Sequence, residues 1–241
     1  MIELIPAIDI IDGKCVRLTK GDYATEKVYA HDPVIVAMEM EALGFRRLHV
    51  VDLDGARQRH VVNIGVLQRI CRETSLTIDF GGGIKSEEDL ERVLDAGAQM
   101  VTLGSIAVTE PERVLSWLQR FGTEQIVIGA DVREGYVSIN GWREDSPQQL
   151  LPFLKGYIDR GVRQVLCTDI SRDGMLQGPA TDLYADIMKA FPACQLIASG
   201  GVSAIDDIRA LEQSGVPAVV IGKAIYEGRI DLNELLNEFP Q

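Results

Sequence analysis

Short runs of apolar, often β-branched residues alternate along the chain with stretches in which apolar positions recur every three or four residues. The first pattern is typical of buried strands and the second of amphipathic helices. Each strand candidate is followed by a helical stretch. The predicted strands are Leu4–Asp9, Arg47–Leu53, Leu76–Phe80, Met100–Gly104, Gln125–Asp131, Gln164–Asp169, Gln195–Ser199 and Ala218–Gly222.

Three of the helical stretches carry start signals. Thr109 is a predicted N-cap because a Pro in the first turn and a Glu follow it. Ser86 before Asp89, and Ser203 before Asp206, repeat the pattern of a hydroxyl followed three residues later by a carboxylate. Strict alternation of strands and helices predicts a parallel sheet, and eight such units predict a closed barrel.

An internal repeat supports the barrel. Gly82-Gly83-Ile84 recurs 118 residues later as Gly200-Gly201-Val202, and Gly104-Ser105 recurs at the same offset as Gly222-Lys223. Asp9 recurs 122 residues later as Asp131, each within an Ala-x-Asp or Ala-Asp context followed by Gly. We therefore predict one (β/α)8 TIM-barrel domain over residues 1–241, built from two homologous half-barrels of about residues 1–122 and 123–241.

The charge balance limits the classes of partner. With 24 Lys and Arg against 36 Asp and Glu the net charge is −12, which repels nucleic acid and anionic membranes. No basic, apolar leader and no apolar run of ~18 residues is present, so we expect a soluble, cytoplasmic protein.

The four cysteines form no C-x-x-C pair and are predicted to be reduced. The three histidines show no metal-ligand spacing, and no metal is expected.

Glycine-rich loops after predicted strands are the first candidate chemistry. Gly81-Gly82-Gly83 and Gly200-Gly201 lead from a strand into a helix, and Gly104-Ser105 and Gly222-Lys223 do so one unit later. Glycine lets backbone N–H groups approach an anion closely, although a single loop of this kind is also explained by a tight turn. Loops paired between the two halves predict two phosphate sites, and hence a bisphosphate ligand that crosses the mouth of the barrel.

Asp9 and Asp131 are the candidate catalytic residues. They end the first and fifth predicted strands, which face each other in a closed barrel of eight. Two carboxyl groups on opposite sides of a substrate suit general acid–base chemistry, whereas one Asp alone is as well explained as a helix cap or turn residue. Their equivalent positions in the repeat favour the catalytic interpretation.

Further polar residues follow the other strands. Asp52 and Asp54 after the second strand, and the segment 168–174 after the sixth, which includes Asp169 and Asp173, are candidates for binding substrate hydroxyls and for orienting the two aspartates. Ion pairs to nearby arginines are the alternative for some of them. Trp142, beside Gly141 on a polar loop after the fifth strand, fits either stacking on a planar heterocycle or the anchoring of a lid.

These motifs resemble a known family. Ile8-Asp9-Ile10, Val51-Asp52-Leu53-Asp54-Gly55-Ala56, Phe80-Gly81-Gly82-Gly83-Ile84, Gly141-Trp142, residues 168–174 and Val220-Ile221-Gly222-Lys223-Ala224 occur in order over nearly the whole chain. In this respect the chain is similar to the phosphoribosylformimino-aminoimidazole carboxamide ribotide isomerases of histidine biosynthesis.

The resemblance implies an isomerase that performs an Amadori rearrangement, converting an aminoaldose phosphate into an aminoketose phosphate. It implies Asp131 as the acid that opens the sugar ring and Asp9 as the base that removes the proton from the adjacent carbon. No cofactor is required, and we expect a monomer. It further implies that Thr168 and Asp169 support the acid step and that Trp142 packs on the imidazole carboxamide. The residues implied for one phosphate are Gly83, Gly104 and Ser105. Those implied for the other phosphate are Gly174, Gly201, Gly222 and Lys223.

Three alternatives stay open at this point. The related cyclase subunit shares the repeat but carries a Lys after the first-strand motif and lacks the Gly-Trp loop. A dual-substrate isomerase that also accepts phosphoribosylanthranilate carries an extra Arg near the position of Asn140. A non-catalytic phosphate-binding barrel would keep the glycines without needing Asp9 and Asp131.

Overall fold

The computed structural model describes residues 1–241 and alternates strands with helices along most of the chain. The strands are β1 (Glu3–Ile11), β2 (Lys14–Thr19), β3 (Asp22–Ala30), β4 (Arg47–Asp52), β5 (Thr77–Gly81), β6 (Met100–Leu103), β7 (Ile126–Arg133), β8 (Tyr136–Ile139), β9 (Glu144–Gln149), β10 (Gln164–Asp169), β11 (Gln195–Ser199) and β12 (Ala218–Ile221). The helices are α1 (Pro33–Leu43), α2 (Leu53–Gln58), α3 (Ile64–Glu73), α4 (Glu87–Asp95), α5 (Ser105–Thr109), α6 (Pro111–Phe121), α7 (Leu150–Ile158), α8 (Thr181–Ala190), α9 (Ile205–Gln213), α10 (Lys223–Tyr226) and α11 (Leu232–Glu238).

Eight of the strands form a closed parallel barrel in the order β1-β4-β5-β6-β7-β10-β11-β12, and β12 pairs back onto β1. The predicted (β/α)8 barrel is confirmed, and the eight predicted strands are found with ends that differ by at most two residues. In this order β1 and β7 are four strands apart in both directions. The structure therefore places them on opposite walls of the barrel.

Two apolar regions hold the barrel together. The larger lies between the outer faces of the strands and the helices, because alternate strand residues point to opposite faces of a sheet. A smaller cluster fills the barrel interior, which is a packed core and not a pore. The interior residues are Ile5, Ala7, Met100, Val127, Leu166, Ile197, Ala218 and Val220. None of the helices is both long and apolar enough to cross a membrane.

Two β-hairpins extend from the barrel mouth, and the strand pattern did not predict them. β2 and β3 follow β1, while β8 and β9 follow β7, all in antiparallel pairing. The first turns are Asp12-Gly13 and Glu134-Gly135, with φ of 52° and 72° and of 51° and 83°. Positive φ at both central residues is the conformation that suits a two-residue hairpin. The hairpins sit at equivalent places in the two halves, and the polar loop that contains Trp142 is the far turn of the second one.

The helix starts were predicted with mixed success. Ser86 caps α4 as expected, because its Oγ accepts a hydrogen bond from the Asp89 N–H at 3.1 Å. The prediction for Thr109 was wrong: it belongs to α5, and its Oγ1 donates to the Ser105 carbonyl within that short helix. The prediction for Ser203 was also wrong. Asp207, inside the first turn of α9, instead accepts from the Ser203 N–H at 2.7 Å.

Candidate active site

A cavity opens at the carboxyl ends of the barrel strands, the face at which (β/α)8 barrels place their active sites. Its walls are formed by the loops after the strands and by the two hairpins. Of the predicted site residues, those that line it are Asp9, Asp131, Gly83, Gly104, Ser105, Trp142, Thr168, Gly174, Gly201, Gly222 and Lys223. The structure thus brings these residues together, whereas the candidates Asp52, Asp54 and Asp169 do not line the cavity.

Asp9 and Asp131 occupy equivalent positions on opposite walls. Each lies two residues before the end of its strand, and so not at the strand end that the sequence pattern predicted. Asp9 is in register with Val51 on the next strand, and Asp131 is in register with Thr168. The repeat is therefore preserved in the sheet register, while the neighbouring residue changes from an apolar side chain to a hydroxyl.

Asp9 is held by an ion pair that sequence reasoning missed. Arg17 Nη1 lies 2.7 Å from Asp9 Oδ2, and both side chains are mostly buried. Hairpin β1–β2 brings them together by folding the chain back at Asp12-Gly13. The guanidinium also lies over the Tyr226 ring, 5.5 Å from its centroid. Burial alone would lower the pKa of the Arg17 guanidinium, but the negative charge of Asp9 beside it raises that pKa.

Asp131 has a less polar environment with no direct ion pair. Burial raises the pKa of the Asp131 carboxyl, and hydrogen bonds from Trp142 and Thr168 only partly offset it. A carboxyl with a raised pKa retains its proton to higher pH and is better suited to donate one. The two paired aspartates thus stand in different electrostatic surroundings.

Asp173, in the segment 168–174 that was a candidate for hydroxyl contacts, is a third carboxyl in the cavity. Burial raises its pKa to about 6, assisted by the negative charges of Asp9 and Asp131 and opposed by Arg17 and Lys223. It sits on the loop after β10, in a turn closed by the hydrogen bond from its N–H to the Asp169 carbonyl. The turn thus places a second carboxyl with a raised pKa on the cavity wall.

Glycine is required in both halves at matching loop positions. Gly83 and Gly201 have φ of 82° and 88°, which an L-residue adopts only with strain. A Cβ on Gly83 would lie 2.6 Å from the His60 carbonyl oxygen, and one on Gly201 would lie 2.3 Å from that of Gly178. Close backbone packing therefore explains these glycines in part, while their position on the cavity wall leaves backbone groups accessible to an anion.

Cationic side chains lie beside the glycine loops. Lys223 Nζ donates to the Gly174 carbonyl at 2.9 Å and to Thr19 Oγ1 at 3.3 Å, so it bridges the loop after β10 and the first hairpin. On the other side of the cavity, Arg59 and Lys85 line the wall near Gly83. Burial lowers the pKa of Lys85, and the neighbouring charge of Arg59 lowers it further. Both walls thus combine glycine backbone with positive charge.

Three carboxylates that were predicted to bind substrate hydroxyls do not line the cavity. They accept hydrogen bonds within the loops instead. Asp52 is buried and accepts hydrogen bonds from the N–H groups of Gly55, Val62 and Asn63. Asp54 accepts from the Asp12 N–H at 2.6 Å and pairs with an arginine of its own helix. Asp169 accepts from the backbone and hydroxyl of the second residue after it, at 2.8 and 2.6 Å. They shape the loops that carry the site.

Trp142 joins the two hairpins above the mouth. A Cβ on Gly21, in the far turn of the first hairpin, would lie 2.6 Å from Cε3 of the indole. Trp142 has φ of 67°, a left-handed conformation that is uncommon for a bulky residue. Its contact with Gly21 fits an anchor between the hairpins, and its place on the cavity wall also leaves it open to a planar ligand. Stacking on a ligand stays a prediction.

Fold and site together define a (β/α)8-barrel protein with buried carboxyl groups at the centre of its mouth and glycine loops on both sides. A family model described as histidine biosynthesis protein matches residues 3–231, and the chain belongs to that family.

Relatives match over nearly the full length. One from Parabacteroides distasonis is 61% identical over 236 residues, covering 98% of this chain and 99% of its own. A second, from Phocaeicola vulgatus, is 64% identical over 235 residues, and a third, from Flavobacterium johnsoniae, is 48% identical over 236, each covering 98% of both chains. All three are named 1-(5-phosphoribosyl)-5-((5-phosphoribosylamino)methylideneamino)imidazole-4-carboxamide isomerase.

Proposed function

We propose that the chain is an aldose–ketose isomerase of histidine biosynthesis. It converts phosphoribosylformimino-aminoimidazole carboxamide ribotide into the phosphoribulosyl form by an Amadori rearrangement. The observation that carries this proposal is the placement of Asp9 and Asp131 on opposite strands between two matched glycine loops. The names of the near full-length relatives support the same reaction.

The rearrangement needs one acid and one base. The acid gives a proton to the ring oxygen, the bond from C1 to that oxygen breaks, and the amino nitrogen lone pair forms a protonated Schiff base. The base then removes the proton from C2, and the electrons of that C–H bond form an enolamine. Loss of the enol proton and protonation of C1 complete the aminoketose. C2 is oxidised and C1 is reduced, so no external oxidant or reductant takes part.

Asp9 is proposed as the base and Asp131 as the acid. The ion pair with Arg17 supports the base role, because it holds one carboxylate oxygen and fixes the direction of the other. The raised pKa of Asp131 supports the acid role. Asp173 is a second candidate for the acid, since its pKa of about 6 lies closer to neutral pH than that of an ordinary Asp.

The ends of the substrate would be held by the two halves. Gly83, Gly104 and Ser105 are proposed for one phosphate, and the loops that carry Gly201 and Lys223 for the other. Trp142 would pack against the imidazole carboxamide. The protein would act as a monomer without a metal or organic cofactor, and its partner would be this small bisphosphate, with neither nucleic acid nor membrane involved.

The dual-substrate isomerase is the second candidate. Asn140 lines the cavity and its amide donates to Glu144 Oε2 at 3.0 Å, whereas the nearby Arg143 is exposed and does not line the cavity. The absence of an arginine from the wall at this loop favours the single-substrate enzyme.

One set of assays tests both candidates. We expect the purified protein to isomerise the histidine-pathway bisphosphate and to leave phosphoribosylanthranilate unchanged. Turnover of both would establish the dual-substrate enzyme. Ammonia-dependent ring closure of the aminoketose product, with no isomerisation, would establish the cyclase and overturn the proposal.

A further inference from the structure

A buried polar cluster lies inside the first half of the barrel, below the cavity. Asp79 is fully buried and accepts hydrogen bonds from Arg47 Nε at 3.2 Å and from Thr102 Oγ1 at 3.1 Å. Its other close partner is Nδ1 of His49, the residue in register with it on the neighbouring strand. Burial alone would raise the pKa of Asp79, but the hydrogen bonds from His49 and Thr102 and the charge of Arg47 keep it below its usual value.

The second half has no such cluster at the equivalent positions. Leu166 and Ile197 are in register on β10 and β11 in the same way as His49 and Asp79 are on β4 and β5. Both are buried in the apolar interior of the barrel, together with Val220 at the position equivalent to Thr102. Replacing buried charges by apolar side chains is often neutral or stabilising. The fold itself therefore does not need a charged pair at this place.

His49 connects this cluster to the candidate active site. Its ring lines the cavity, and Asp79 is the partner of Nδ1, while Nε2 makes no hydrogen bond to the protein. It is also close enough to Asp131 to influence the pKa of that carboxyl. Charged and polar groups around the ring are Arg47 on the same strand, Asp79 from β5, Thr102 from β6 and Asp131 from β7. The free ring nitrogen is thus presented where the substrate would react.

We propose that Asp79 is a positioning residue that holds His49 in its Nδ1–H form, so that Nε2 accepts a hydrogen bond from a hydroxyl of the reacting sugar beside Asp131. Arg47 pairs both with the buried Asp79 and with Glu3, whose side chain is partly exposed to solvent. Within the buried part of the cluster Arg47 therefore balances Asp79, and a neutral imidazole adds no uncompensated buried charge. A neutral Nε2 needs a donor, and the sugar hydroxyls supply one while its phosphate does not. This inference rests on the proposed function.

The tautomer is measurable in the unaltered protein. The chain has three histidines, of which His31 and His60 are exposed and His49 is buried. Long-range ¹H–¹⁵N spectra should show one buried ring that is protonated at Nδ1 and unprotonated at Nε2, and Asp79→Asn should change that pattern. A buried ring protonated at Nε2, or one unaffected by Asp79→Asn, would overturn the inference whatever the enzyme's activity.

A double-mutant cycle tests the link to catalysis. His49→Leu and Asp79→Asn should each lower kcat/KM by about tenfold or more, and the double variant should be no worse than His49→Leu, because Asp79 acts through the ring. Effects that multiply, or a single variant within twofold of the unaltered enzyme, would refute the link. Ile197→Val, at the equivalent interior position of the second half, is the control and should stay within twofold.

A third variant separates activity from folding. The triple change Arg47→Gln, His49→Leu, Asp79→Ile copies the residues of the second half, including Gln164. It should unfold at no lower urea concentration than the parent while kcat/KM falls at least tenfold; retained activity would contradict the inference. If the parent itself does not isomerise the bisphosphate, the proposed function fails, and the tautomer measurement still decides the role of Asp79.

Discussion

Arg17 pairs with Asp9 at 2.7 Å across the first hairpin, whereas the residue 122 positions later, Ile139, offers Asp131 no such partner. The two carboxyl groups at equivalent positions thus differ in their surroundings. One is held by a cation, and the other is buried beside Trp142 and Thr168. This difference gives a physical reason for one aspartate to act as the base and the other as an acid.

Replacement of either aspartate should slow the chemical step. We expect Asp9→Asn and Asp131→Asn each to lower kcat by about 10²- to 10⁴-fold with little change in KM, because positioned acid–base groups typically contribute that much. Steady-state kinetics with the bisphosphate substrate provide the measurement. Asp95→Asn, on the exposed face of α4, is the matched control and should behave as the parent. Near-parental rates for both site variants would exclude the assigned roles.

The ion pair should contribute to stability as well as to activity. Arg17→Met leaves the mostly buried Asp9 carboxylate without its partner and should cost about 2 kcal/mol of unfolding free energy at pH 7. Urea unfolding measures the loss. In the Asp9→Asn background the same change should cost much less, because the charge that needs pairing is gone. Equal losses in both backgrounds would mean that Arg17 stabilises the fold by other contacts, such as the Tyr226 ring.

Asp173 should affect how the stability of the protein depends on pH. Its pKa of about 6 in the folded protein is above the unfolded value of about 3.9. The protonated form is therefore favoured by folding, and stability associated with it is lost as pH rises from about 4 through 6. In Asp173→Asn, the decrease of the unfolding free energy between pH 4 and pH 6 should be smaller by up to about 3 kcal/mol. If Asp173 supplies the proton, the same variant should also remove a fall in kcat above pH 6; an unchanged rate profile would leave Asp131 as the acid.

We predict that Gly222 affects activity because it leaves room for the Arg17 side chain. A Cβ at this position would lie 1.6 Å from Nη2 of Arg17, and the flexible guanidinium would have to move away from Asp9. Gly222→Ala should therefore lower kcat about tenfold or more, while the unfolding free energy falls by no more than the roughly 2 kcal/mol expected for loss of the ion pair. Gly83→Ala should instead destabilise the protein more, since its Cβ meets backbone at 2.6 Å and its φ is positive.

Gly156→Ala is the control for both glycine variants. Gly156 lies in the middle of α7 with open space around a Cβ, and alanine there should leave kcat unchanged and stability equal or slightly higher. If Gly222→Ala also kept full activity, the contact between Arg17 and Asp9 would not be needed for turnover.

The barrel was predictable because its signals are local. Apolar runs and helical spacing mark each unit, and the repeat places units in equivalent positions, so Asp9, Asp131 and the glycine loops could be located without coordinates. The hairpins were missed although Asp12-Gly13 is a favourable turn pair. The outer strands of the two hairpins, β3 and β9, are mostly exposed and lack an apolar pattern.

The sequence by itself determined the eight-unit order, the equivalence of the two halves and the candidates for acid, base and phosphate binding. Only the tertiary structure decided which polar residues face the cavity. The side chains of Asp52 and Asp169 accept hydrogen bonds within their own loops, whereas Arg17, His49 and Asp173 line the cavity. The direction of a side chain depends on strand register, on how the hairpins fold back and on which backbone donors compete for it. These contacts involve residues far apart in the chain, so a local sequence pattern does not predict them.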